Sequence, residues 1–167
     1  MRILRATLTI LFTAAAAHAQ NPKLTDAQRA QITTAVQKVV DDAYAAARET
    51  NFDRMSAHMS KEDGVCLFGQ AIRPCNEVKK GFAEAWRRDR PDRPQRQEMD
   101  GQEIRIMPLS PTMAIVATTT KENRAYLPDG KVNRARFASF FVYVLEDGQW
   151  KMHSGQQAAW PIEPAGK

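Results

Sequence analysis

Residues 132–145 restrict the fold of this chain more than any other segment. Arg134, Arg136, Ala138, Phe140, Val142 and Val144 alternate there with Ala135, Phe137, Ser139, Phe141, Tyr143 and Leu145. Period-two alternation of β-branched and aromatic residues is strand chemistry. Both sets are largely apolar, so the strand needs cover on both faces, one of them a helical layer. Glu146-Asp147-Gly148 turns the chain into a second strand at 149–157. Upstream, 98–107 and 112–120 read as strands, and Pro128-Asp129-Gly130 is a hairpin turn. The last third therefore reads as a four-stranded antiparallel meander.

The first half has a different period. Thr25 and Gln28 have capping-box spacing. Ile32, Val36, Val39, Val40, Ala43, Tyr44 and Ala47 then recur as they would on one side of a helix over 25–49. Asn51 opens a short helix with Phe52, Met55 and Met59 on one side. A hairpin at 65–68 and 71–73 follows, then a third helix over 77–86 with Val78, Phe82, Ala85 and Trp86 as its apolar stripe. Residues 87–97, rich in arginine and carrying two prolines, read as a solvated loop. Helices followed by a run of strands predict an α+β domain with the helices on one face of the sheet.

Residues 1–19 stand outside that domain. Arg2 and Arg5 precede an apolar run over 6–17, and Ala17-His18-Ala19 is a small-x-small cleavage site. These are the parts of a cleavable signal peptide, and the run is shorter than the roughly 20 residues a membrane span needs. The expectation is a periplasmic or secreted protein without a membrane anchor, its single domain spanning residues 20–167. That length suffices for a core without staples. Removing Arg2 and Arg5 lowers the net charge from +5 to +3, and no nucleic-acid recognition motif accompanies it. No nucleic-acid partner is expected.

Cys66 and Cys75 are expected to pair in an oxidising compartment. A hairpin turning at Gln70-Ala71 would set position 66 directly opposite 75, with Cα atoms about 4.5 Å apart, at the short end of disulfide geometry. Two cysteines with His58 and His153 match no zinc spacing, so neither metal nor cofactor is expected.

The order of elements resembles the nuclear-transport-factor-2-like superfamily, which includes ketosteroid isomerase and the SnoaL-like cyclases. Its local support is Asp41-Asp42-Ala43-Tyr44 with Asn51-Phe52-Asp53, then Val65-Cys66-Leu67-Phe68-Gly69, then Val78-Lys79-Lys80-Gly81-Phe82. The run from Val142 to Met152, with Asp147-Gly148-Gln149-Trp150-Lys151 at its centre, is similar to the C-terminal hairpin of many members. The resemblance implies a cone-shaped, curved antiparallel sheet wrapped by N-terminal helices around an apolar pocket. It also implies a homodimer joined through the sheet face.

Strict alternation places Trp150, Met152, Ser154 and Gln156 on one face of the last strand. With Phe140, Arg136 and Tyr44 they form the expected ligand-binding set: an apolar wall with a few polar groups, and Arg136 as an anion contact at the mouth. Ser154 and Gln156 stand where related cyclases often hold His, and neither has a pKa suited to acid–base work. His58, on a short helix among methionines, and His153, on the face opposite Trp150, are read as poorly placed for proton transfer. The favoured function is an exported domain binding a small, largely apolar molecule, with no catalysis evident. One alternative is a SnoaL-like isomerase, cyclase or dehydratase with Asp53 or Asp41 as base, which requires a carboxylate buried enough to raise its pKa. A second is a dimeric interaction module.

Overall fold

A computed structural model describes residues 23–68, 71–87 and 93–162. The expected signal peptide and its cleavage site lie outside the described residues.

Helix α1 spans Asp26–Arg48. Thr25 caps it: its side chain accepts from the Gln28 N–H, and Gln28 reaches back to the Thr25 N–H at 2.9 Å. Both halves of the capping box are thus in place. Ile32, Val36, Val40 and Ala46 are its buried residues. α2 is one short turn, Phe52–Ser56, with Asn51 accepting from the Arg54 N–H. The hairpin β1 (Val65–Phe68) and β2 (Ala71–Pro74) leads into α3 (Cys75–Arg87).

Five strands complete the chain: β3 (Arg96–Asp100), β4 (Glu103–Ser110), β5 (Met113–Tyr126), β6 (Val132–Glu146) and β7 (Gln149–Pro161). The strand expected over 98–107 is thus two strands, broken at Gly101, whose φ of 59° suits glycine. Both pair antiparallel with β5, β4 along its first half and β3 along its second. The sheet runs β2-β1-β7-β6-β5-β3 and is curved and unclosed. One expectation needs correction: the sheet is mixed, because β1 lies parallel to β7.

Two β-bulges decide which side chains face the helices. On β7, Val142 pairs with Ser154 but Tyr143 pairs with Met152, so His153 is the extra residue. An extra residue reverses the alternation beyond it. Trp150 and Met152 therefore share the concave face with Gly155 and Gln157, not with Ser154 and Gln156. On β5, Thr120 pairs with Phe137 and Asn123 with Ala135, which returns Asn123 to the concave side.

The core lies where α1 crosses the sheet. Val36 and Val40 meet Val116, Ala114, Tyr143 and Trp150, with Leu24 and Ile32 at the edge. Trp150 is thus a core residue.

Cys66 and Cys75 form the expected disulfide, with Cα atoms 5.0 Å apart. The expected register is not the observed one. The hairpin pairs Cys66 with Arg73 and Phe68 with Ala71, and Cys75 lies past the end of β2 as the first residue of α3. The bridge therefore ties a helix start to a strand, rather than two opposed strand positions.

Candidate functional site

Between the helices and the concave face lies a cavity of about 310 Å³. Ala43, Tyr44 and Ala47 of α1 form one side. Phe52 and Met55 of α2, with His58 and Met59 just beyond it, form a second. Phe137, Phe141 and Tyr143 of β6 form the floor, with Met152 and Gln157 of β7 beside them. Gln97 and Met99 of β3, Thr120 of β5 and Val78 of α3 close the far end.

The floor depends on a glycine. A Cβ at Gly155 would lie 2.1 Å from Phe141 Cδ1, so the Phe141 ring occupies the space a side chain would take. Gly64 permits a similar approach, since a Cβ there would lie 1.9 Å from the His153 carbonyl oxygen.

The polar groups have defined partners. The Tyr44 hydroxyl lies 2.5 Å from Thr118 Oγ1, and burial pushes its pKa above the ordinary value, keeping it protonated. Gln157 Nε2 donates to Ser139 Oγ at 3.2 Å, and Gln97 Oε1 accepts from Asn123 Nδ2 at 3.1 Å. His58 Nε2 lies 2.6 Å from Asp42 Oδ2. Asp42 also binds Arg54, which in turn contacts Glu49 at 2.9 Å. The hydrogen bond from Arg54, then that from His58, lowers the Asp42 pKa to about 2.

Of the residues expected to bind ligand, Tyr44 and Met152 line the cavity. Ser154 and Gln156 follow the β7 bulge onto the outer face, Ser154 accepting from the Val65 N–H at 3.1 Å. Phe140 and Arg136 occupy the convex positions of β6, with Phe140 48% exposed. The odd-numbered residues of β6 face the cavity, a choice that two apolar faces leave open in the sequence. Neither candidate base lines the cavity. Asp41 accepts from Gln37 Nε2 at 2.8 Å in a surface groove on the solvent side of α1, and Asp53 is exposed in the first turn of α2. One residue along the helix, about 100° of rotation, separates the roles: Asp42, not Asp41, meets the group at the cavity wall. His58, read as poorly placed among the methionines of a short helix, is in that wall. Its partner lies sixteen residues earlier on another element, and no local motif signals the pairing. Among the described residues no cluster of three His, Cys, Asp or Glu side chains suits a metal.

Helices over a curved sheet, with an apolar cavity between them, define the nuclear-transport-factor-2-like fold. Residues 36–162 match the SnoaL-like domain, and the chain belongs to that family. No curated protein matches it. Solved structures do. A hexachlorocyclohexane dehydrochlorinase, LinA-type3 from Novosphingobium barchaimii, superposes with a TM-score of 0.63 at 14% identity, covering 83% of this chain and 94% of that one. A conserved protein from Planctomyces limnophilus gives 0.64 at 17%, covering 80% and 100%. A ketosteroid isomerase-like protein from Erwinia carotovora atroseptica gives 0.57 at 16%, covering 78% and 96%. At these identities the likeness is one of fold.

Proposed function

We propose that this SnoaL-like domain works outside the cytoplasm and binds one small, largely apolar molecule between its helices and its sheet. The carrying observation is the cavity: about 310 Å³, walled by aromatic rings and methionines, with polar contacts limited to Tyr44, His58, Gln97, Thr120 and Gln157. Such a volume and lining suit a ligand oriented by a few hydrogen bonds. Export is supported by the leader pattern and the Cys66–Cys75 disulfide. No helix among the described residues is long and apolar enough to cross a membrane. The test is saturable binding of a neutral apolar fluorophore to the folded domain. Ala47→Trp should fill the cavity and abolish binding while leaving the circular dichroism spectrum intact. Equal binding by both proteins would defeat the reading.

One observation supports a catalytic reading. His58 in the cavity wall is paired with Asp42, so a proton acceptor can come from this pair rather than from Asp53 or Asp41. Turnover in a dehydratase or isomerase screen that His58→Gln abolishes and Asp53→Asn preserves would establish it. Another supports a homodimer: Met107, Phe140 and Trp160 are 53%, 48% and 53% exposed on one convex face. Phe140→Asp should then lower the sedimentation coefficient of the native protein. A monomer before the substitution would end that reading.

A further inference from the structure

Four residues with soft donor atoms line the cavity where the exit of α2 meets β7. Met55, His58 and Met59 come from α2 and the turn after it, and all three line the cavity. Met152 joins them from β7. It stands beside Met59, because an isolated parallel bridge pairs these two residues. The main chain fixes that junction: the Met152 N–H donates to the His58 carbonyl and the Ser60 N–H donates to the Met152 carbonyl, each at 2.8 Å. The relation between the two segments thus does not rest on side-chain packing alone.

His58 is held as a ligating histidine is held. Its Nε2 lies 2.6 Å from Asp42 Oδ2, which leaves Nδ1 as the nitrogen with a lone pair to offer. Metal-ligating imidazoles commonly have the far ring nitrogen fixed by a carboxylate in this way. Asp42 itself is absent from the cavity lining, so these four residues offer three thioethers and one imidazole. Hard divalent cations need oxygen donors, and zinc takes thiolate, imidazole or carboxylate. Thioethers select a soft ion, copper(I) above all. The chain's only two cysteines are both in the disulfide, so no thiolate competes for such an ion. Phe52, Phe141 and Tyr143 around the same cavity keep the donors in apolar surroundings.

We infer that Met55, His58, Met59 and Met152 form a binding site for copper(I). The site does not depend on the cavity also taking an organic ligand, and the two are scored by separate measurements.

The experiment uses the disulfide-bonded protein, copper(I) maintained with ascorbate, and bicinchoninate as a coloured competing chelator. One equivalent of copper should leave the chelator, and the bound metal should show sulfur scattering in its X-ray absorption. Met59→Leu and Met152→Leu conserve volume, and each should weaken binding by roughly tenfold or more, since loss of even an outer-shell partner of a metal ligand costs about 10–100-fold. Silver(I) titration of protein labelled at the methionine methyls supplies a second readout on the unaltered chain. The signals of Met55, Met59 and Met152 should shift, and those of Met107 and Met113 should stay. No transfer from bicinchoninate, or copper binding unchanged by both leucine substitutions, would overturn the inference. Equal silver-induced shifts at Met107 and Met113 would do the same. Failure of the fluorophore to bind metal-free protein would leave this result standing and count only against the organic-ligand reading.

Discussion

Replacing Gly155 with alanine tests the β7 bulge and the cavity floor together. With His153 as the extra residue, Gly155 pairs with Phe141 on the concave face. The new methyl would lie 2.1 Å from Phe141 Cδ1, 2.8 Å from Cε1 and 3.2 Å from the Phe140 carbonyl oxygen. A ring edge and a backbone oxygen on two sides leave it no free direction. Either Phe141 swings into the cavity or β7 separates from β6. Overpacking of this kind costs about 1–3 kcal/mol, and a chain of this size loses roughly 2–4 °C in Tm per kcal/mol. Thermal unfolding by circular dichroism should therefore show a drop of roughly 2–12 °C. Fluorophore affinity should fall with it, because the displaced ring takes up ligand space. Phe141→Leu added to Gly155→Ala removes the clashing ring edge and should recover part of the lost stability. Under strict alternation Gly155 would face away from the helices and the substitution would be harmless. A wild-type Tm for Gly155→Ala, or no recovery in the double variant, would refute the bulge as described.

Three further outcomes follow from the same geometry. Asp42 has a folded-state pKa of about 2 against 3.8 for an unperturbed aspartate, so its ion pairs stabilise the fold fully above the unfolded value and that contribution is lost as pH falls from about 4 towards 2; urea midpoints across this range should drop less steeply in Asp42→Asn than in the wild type. Reducing the Cys66–Cys75 bridge, which spans nine residues, should cost at most about 2–3 kcal/mol in the chain-entropy model, visible as a lowered Tm of a still folded domain; complete unfolding at 25 °C would contradict it. Tyr44→Phe removes the hydroxyl that meets Thr118 and should cost about 0.5–1.5 kcal/mol, read from the denaturation midpoint, whereas Gln156→Ala on the outer face should leave stability and fluorophore binding unchanged.

What the sequence discloses here divides along a physical line. Helix α1 was legible almost to the residue, because a capping box and a 3.6-residue apolar stripe are local signals and both point the same way. The disulfide was legible in its partners but not in its register. Pairing needs only proximity and an oxidant, whereas the register depends on where a hairpin of two four-residue strands turns. The site was harder for a specific reason. A strand's alternation rule carries no memory past a bulge, so one unpaired residue at His153 moved every later side chain of β7 to the other face. Ser154 and Gln156 thereby exchanged places with Gly155 and Gln157. The same limit applies to Asp42 and His58: α1 and the turn after α2 meet only through the fold. The chemistry of the cavity therefore lies in the points where regular elements break, at the exit of α2 and at the two bulges. The regular stretches between them supply the core, with Val36, Val40, Val116 and Trp150 holding the walls that those breaks then equip.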